Sequence, residues 1–291
     1  MRAPWRSTKA PYGLESQRTM AGYGGTTIKG VGHRQGALTE FLVCSFIPHL
    51  HARTSAGHRQ VAMQRSLAFT DDTLLGTIRA RLLAILGPQR DAQRLDPISQ
   101  LVKASISSRT RDRVAARAFA QLCQRYASWD LLSRETAGVI EALIRPVTFA
   151  DRKAADLPAA LRMIRARTGR LDLEFLVDWE DEVAMHWLDG LPGVGAKIAA
   201  TVLNFSTLRK RVLPVDTHLL RVGRRLGLLP ANADYPSGFD SFMRRVADVW
   251  DADDLYELHW LLKYLGQHVC TDSAPACTRC PLRDLCPRLL S

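Results

Sequence analysis

The chain has 291 residues, 46% of them hydrophobic and 24% charged, and a net charge of +11. That length buries one large core or two medium lobes, and the composition is that of an ordinary soluble protein. No apolar run is long enough to cross a membrane and no clean signal-peptide core opens the chain, so membrane and secreted classes are not expected.

Most of the charge excess sits at the front. Residues 1–69 carry nine Lys/Arg against only Glu15 and Glu40, so +7 of the +11 lies there and the remainder is mildly basic. Residues 1–70 show no helical period and are rich in Arg, Gly, Ser and His, which predicts a basic, disordered extension. Three origins fit it: an over-long start with Met20 or Met63 as the true first residue, a basic arm with affinity for a polyanion, or an Arg-rich, acid-poor organelle-targeting segment. The apolar stretch at 41–47, which includes Cys44, is too short to carry a function.

From Asp71 the pattern turns helical. Asp71 and Asp72 are suited to cap a helix with the stripe Leu74, Leu75, Ile78, Leu82, Leu83 and Ile85, stopped by Gly87-Pro88. Pro97 opens a second helix through Ile98, Leu101, Val102 and Ile106. Further helices are predicted over 111–126, 137–143, 152–168, 173–177 and 180–188, then 217–226, 239–249 and 255–267. No strand-like alternation is long enough to count and no internal repeat is present, so the fold class is all-α.

The densest stretch is 188–225, centred on Leu191-Pro192-Gly193-Val194-Gly195. Helix-patterned residues precede it (Val183, Met185, Trp187, Leu188) and follow it (Ile198, Ala199, Val202, Leu203). This reads as a helix, a tight glycine turn and a second helix, over about 180–206. Backbone amides at Gly193 and Gly195 are open to close approach, and the next helix aims its positive dipole end at the same point, as a phosphate site requires. Lys197 falls in the first turn of that second helix. Asp216 follows, with Thr217 and His218 after it. Alone, Lys197 also fits a solvated helix face, and Asp216 also fits a simple N-cap for the helix at Thr217.

The end of the chain holds Cys270, Cys277, Cys280 and Cys286, four of only six cysteines, in a C-x6-C-x2-C-x5-C spacing. Such crowding points to a metal site in a reducing compartment rather than to a disulfide framework. Four thiolates suit tetrahedral zinc, but zinc ribbons pair two C-x2-C knuckles and this loop has one.

Together, LPGVGAK, VDTH and the cysteine loop resemble the endonuclease III branch of the helix-hairpin-helix DNA glycosylases, over roughly residues 72–288. The resemblance implies two helical lobes with a DNA-binding cleft between them. One would run from 109 to 216 with the hairpin, and the other would join 71–108 to 217–291. It implies a [4Fe–4S] cluster on Cys270, Cys277, Cys280 and Cys286, with Arg279, Arg283 and Arg288 near DNA phosphates. Lys197 is the implied nucleophile, attacking C1′ to form a Schiff base, and Asp216 the carboxylate that stabilises charge on the sugar. Leu191, Gly193, Val194, Gly195, Thr217 and His218 would bind DNA. The segment SISSRTRD, from Ser105 to Asp112, is similar to the family stretch whose glutamine fills the gap left by a flipped base. Here that position is Arg109, a departure that bears on substrate range. Phe149 matches the wedge position.

The implied activity is removal of oxidised pyrimidines from duplex DNA, followed by strand cleavage at the abasic site. Two alternatives stay open: the same fold acting on another lesion (oxidised guanine, a deaminated or an alkylated base), or a damage-binding protein with little catalysis. The implied partner is double-stranded DNA with damaged bases or abasic sites, bound by a monomer. The expected location is the cytoplasm or nucleoid of a bacterium, or the nucleus or an organelle of a eukaryote.

Overall fold

The structure, a computed structural model, describes residues 73–89 and 93–288. The chain divides into two compact units, Met1–Phe41 and Leu42–Ser291, and every described residue belongs to the second. The extension expected over 1–70, with Met20, Cys44 and Met63, lies outside the described residues, as do Asp71 and Asp72.

Among the described residues eleven α-helices follow one another and no strand forms; one isolated bridge joins Leu95 to Ser206. Helix α1 (Leu74–Leu86) is capped by Thr73, whose hydroxyl accepts from the Gly76 amide at 3.0 Å, in place of the expected aspartates. Helix α2 (Pro97–Ser107) starts as its sequence dictates, with Pro97 in the first turn and Asp96 accepting from the Ser99 amide at 2.9 Å. Then come α3 (Asp112–Arg125), α4 (Trp129–Ser133), α5 (Ala137–Ile144) and α6 (Ala150–Thr168). After a short 3-10 turn at Glu174–Asp178 follow α7 (Asp181–Asp189), α8 (Ala196–Phe205), α9 (Thr217–Arg225), α10 (Tyr235–Met243) and α11 (Ala252–His268). None of these helices is long and apolar enough to cross a membrane.

Two elements depart from expectation. Helix α4 has no counterpart among the expected helices; its Trp129 is buried and donates its indole N–H to the Ser99 hydroxyl at 2.7 Å, so a tertiary contact fixes a segment too short to show a period. The helix expected over 239–249 runs instead from Tyr235 to Met243. A reciprocal capping box between Asp234 and Ser237 moves its start upstream.

The buried side chains form two clusters. The first draws on α2 to α8, from Ile98 to Val212. The second draws on α1, α9, α10 and α11, together with Leu282 of the cysteine loop. A lobe boundary after Ser108 does not follow these cores. Ile98, Leu101, Val102 and Ile106 all belong to the first cluster, because α2 packs between α3 and α8. Of α1 and α2, α1 is the one whose apolar side chains join the second cluster. There Arg79 reaches Asp254 at 2.7 Å and Glu257 at 2.5 Å, and its guanidinium lies 5.1 Å from the centre of the Trp250 ring.

Candidate functional site

Helices α7 and α8 form the expected hairpin. Leu188, Leu191, Val194 and Ile198 are all buried and pack it onto the first core. Val183, by contrast, is 54% exposed and takes no part in that face. In the turn the Val194 amide donates to the Leu191 carbonyl at 3.1 Å, and Gly193 adopts φ 70°. That conformation favours glycine, and a side chain there would meet the Asp156 Cβ at 2.7 Å. Gly195 differs: a Cβ added to it would meet nothing within 4 Å. Gly195 is also the N-cap of α8 and offers no side-chain cap, so the first amides of α8 have no side-chain acceptor from it. The expectation that Leu191 and Val194 meet a ligand is therefore restricted to their backbone, since both side chains are core.

Lys197 lies one residue inside α8, partly buried. Burial drives its amine below the ordinary lysine range; the Asp216 carboxylate opposes this, Lys263 reinforces it and Asp112 opposes it. Asp216 is 8% exposed and caps α9, its Oδ1 accepting from the amides of His218 at 2.8 Å and Leu219 at 2.9 Å. Burial resists its charge, but His259, the Leu219 amide, His218 and Lys197 outweigh burial and hold the carboxyl below its usual range. Capping and proximity to Lys197 thus coexist in one residue. Thr217 is exposed and His218 partly buried.

Several residues join this site that the sequence did not single out. His259 of α11 is buried, its Nδ1–H donating to the Pro214 carbonyl at 2.6 Å, and burial pushes it down to about 4. Lys263, one turn on, donates to Asp112 at 3.0 Å, and Gln267 donates to the other Asp112 oxygen at 2.9 Å. Tyr235 is raised by burial and by Asp216, and it also feels Arg109. No short motif carries Lys263, His259 or Tyr235; only packing of α10 and α11 brings them in. Asp112 is different, because it closes the SISSRTRD segment and that motif was a signal for it.

Arg109 and Phe149 are brought together although forty residues separate them. The Arg109 guanidinium stands 5.9 Å from the centre of the Phe149 ring, and Phe149 is 52% exposed rather than core. Lys153 braces the two loops. Its amine donates to the carbonyls of Ile106 at 3.0 Å and Ser108 at 2.5 Å, and to the Thr110 hydroxyl at 3.2 Å. Burial first, and then Lys197, lower it to about 8.

The four C-terminal cysteines are free thiols that line one cavity together with Arg225, Arg283 and Arg288. Arg225 donates to the Cys270 sulfur at 3.5 Å and to the Thr271 carbonyl at 2.6 Å. Arg221 reaches from His218 Nδ1, at 3.1 Å, to the Cys270 carbonyl, at 3.0 Å, so the loop is tied directly to the helix that Asp216 caps. Burial pushes the Cys280 thiol up, and the other three cysteines push it the same way. Among the described residues no three His, Cys, Asp or Glu side chains stand close enough to hold a metal ion between them.

Residues 102–241 match the family model of the HhH-GPD superfamily base excision DNA repair proteins. The chain is 29% identical to the endonuclease III-like protein 1 of Gallus gallus over 188 residues, 64% of this chain and 62% of that protein. It is 28% identical to the endonuclease III of Sulfolobus acidocaldarius over 183 residues, 62% of this chain and 77% of that protein. It thus spans less than two thirds of the first of these relatives. Its fold is similar to that of a non-covalent endonuclease III–DNA complex, with a TM-score of 0.62 at 21% identity over 74% of this chain and 96% of that one. A thermostable thymine-DNA glycosylase gives 0.61 at 17% identity over 74% and 95%. Residues 102–241 thus match the HhH-GPD superfamily, and the chain is similar in fold to endonuclease III.

Proposed function

We propose that this chain is a base-excision DNA glycosylase with abasic-site lyase activity, acting on oxidised pyrimidines in duplex DNA. The observation that carries the reading is the pairing of Lys197 and Asp216. A buried amine, shifted toward its neutral form, stands at the start of the hairpin's second helix, beside a carboxyl that His259 and the Leu219 amide hold below its usual range despite burial. A neutral Lys197 Nζ attacks C1′ of the damaged nucleotide, and the base departs with the electrons of the glycosidic bond. Asp216 stabilises the positive charge that grows on the sugar as that bond breaks. Transfer of the ammonium proton opens the sugar to an imine. That imine acidifies the C2′ hydrogen, whose removal expels the 3′ phosphate; later hydrolysis regenerates the amine. A binding protein would have no use for an amine shifted toward neutrality.

The hairpin amides supply the phosphate contact, and Phe149 with Arg109 enters the duplex where the target nucleotide leaves it. The cysteine loop fits an iron–sulfur cluster. Burial and then the other three cysteines push the Cys280 thiol up beside the cavity that all four line, a crowding that a positively charged group there would relieve. Cys270, Cys277, Cys280 and Cys286 would hold a [4Fe–4S] group, which when bound supplies a covalent anchor for the loop.

One observation favours a second lesion class. Arg109 carries donors only, where a glutamine carries a donor and an acceptor. On the Watson–Crick edge of an orphaned base, cytosine alone presents two adjacent acceptors, O2 and N3. A cytosine opposite implies a guanine-derived lesion.

The test is borohydride trapping on duplexes bearing thymine glycol, dihydrouracil, 8-oxoguanine, uracil or an abasic site, with the wild type and Lys197→Ala. The expected result is a covalent adduct on oxidised pyrimidines and abasic sites that disappears in the variant. An adduct that survives Lys197→Ala, or none on any duplex, refutes the proposed nucleophile.

A further inference from the structure

Among the described residues of the site, Lys263 is a buried cation that the proposed chemistry leaves without a task. It lies on α11, and its side chain is only 12% exposed. Helix α11 packs on α8: Phe205 makes ring contacts with Tyr256, His259 and Trp260 at 4.6, 5.0 and 5.9 Å. One turn beyond Trp260, Lys263 lies with its amine 4.6 Å from the Trp260 ring centre, within electrostatic reach of Lys197. It is held there from the other side. Asp112, the first residue of α3, accepts from Lys263 at 3.0 Å and from Gln267 at 2.9 Å.

We propose that Lys263 is a positioning residue for the lysine chemistry, a cation fixed by Asp112 and the Trp260 face that keeps the Lys197 amine available as a nucleophile. The proposal rests on Lys197 being that nucleophile. Charges face Lys197 from four elements: Asp216 at the start of α9, Lys263 on α11, Asp112 on α3 and Lys153 on α6. His218 and His259 complete the surroundings. Asp216 favours the protonated ammonium, yet its negative charge is needed for the sugar. A second cation resolves that conflict, because it offsets Asp216 at the amine without neutralising it. Lys263 does not itself react: its amine is engaged by Asp112 at 3.0 Å and seated on the Trp260 face. Asp112 partly cancels Lys263, and the influence of Lys263 on Lys197 is the larger of the two.

The experiment is the single-turnover rate of borohydride trapping on an abasic-site duplex as a function of pH. Wild type, Lys263→Met, Lys263→Arg, Asp112→Asn and Lys197→Ala are compared. Imine formation needs a neutral amine, so the acid limb of the profile reports the Lys197 amine. In Lys263→Met that limb moves up by about one pH unit, a roughly tenfold loss of rate on the acid side with the alkaline plateau kept. Lys263→Arg restores the wild-type limb. Asp112→Asn moves it the other way, to lower pH. A role limited to stability would change rates by one factor at every pH and could not give shifts of opposite sign. A limb that stays in place in Lys263→Met overturns the proposal. If that variant does not fold, Asp112→Asn decides: a downward shift supports the proposal, and an unmoved or upward one overturns it. An adduct that persists in Lys197→Ala shows instead that another residue is the nucleophile, and the proposal falls with it.

Discussion

The Arg109 guanidinium lies over the Phe149 ring, 5.9 Å from its centre, and both residues hold left-handed backbone conformations, φ 55° and 58°. Neither is a glycine, so each costs about 1–3 kcal/mol of strain that the surroundings must offset. Lys153 supplies part of the offset by bonding three oxygens around Arg109. The Thr148 amide adds another bond, donating to the Thr110 hydroxyl at 3.2 Å. Two strained turns thus present an aromatic and a cation side by side.

If Arg109 fills the gap left by a flipped base, as proposed, it sets the opposite-base preference. Abasic-site cleavage by the wild type is expected to be fastest opposite cytosine, and Arg109→Gln to lose about 1–3 kcal/mol of that discrimination. The check is single-turnover cleavage with each of the four bases opposite the site. Equal rates opposite all four bases in the wild type would remove Arg109 from that role. Phe149→Ala should weaken binding of the same duplexes by about 1–3 kcal/mol whatever base is opposite, since stacking does not read base edges.

Much of this arrangement is legible in the sequence, and what is not has a common cause. The helix period outside α4 and α10, the helix start at Pro97 and the glycine turn are local signals that appear where expected. Lys263, His259 and Tyr235 lie 66, 62 and 38 positions beyond Lys197, and nothing in their own neighbourhoods marks them. Their importance comes from α10 and α11 packing back onto the hairpin helices. The place of α2 in the first core, before the expected lobe boundary, has a related origin. Helix α2 is buried on nearly all sides, and its apolar stripe does not say which neighbour it faces.

Asp216 separates structure from chemistry in one substitution. Asp216→Asn keeps a side-chain oxygen for the His218 and Leu219 amides, so the cap of α9 survives. The charge beside the sugar is lost, and base release should fall by roughly a hundred- to a thousandfold. Asp216→Ala also removes the cap, at about 1 kcal/mol of stability. Melting temperature and single-turnover base release, measured on both variants, resolve the two roles. Full activity in Asp216→Asn would leave only the cap.

His259 predicts an acid-side loss of stability. Burial lowers it to about 4, below the ordinary value of roughly 6.5. Between those values the unfolded chain takes up a proton that the folded chain refuses. Its neutral form is thus no handicap above pH 6.5, and stability falls as the pH drops through the window toward 4. At pH 5 the loss from this group alone is about 2 kcal/mol. Urea unfolding at pH 7 and pH 5 should show His259→Gln less stable at pH 7, through strain on the Pro214 bond, but missing this part of the acid loss. Parallel pH dependences for variant and wild type would refute the assignment.

The cysteine loop makes the last prediction. Cys270, Cys280 and Cys286 pack against the second core beside Leu282, and Arg221 and Arg225 link the loop to the helix capped by Asp216. Cys277→Ser should therefore abolish bound iron and its broad visible absorption and lower the melting temperature, because the three remaining thiols cannot complete the proposed anchor of the loop. Arg279 and Arg283 lie within that loop, and if they meet DNA phosphates as expected, loss of the anchor removes their fixed array. The slope of log affinity against log salt should then become shallower by about 0.9 for each phosphate that is no longer neutralised. Iron content, the visible spectrum and binding at several salt concentrations test the two halves separately. A colourless wild type with one bound zinc would replace the cluster with a structural zinc. An unchanged salt slope in a variant that has lost its iron would detach the loop from DNA.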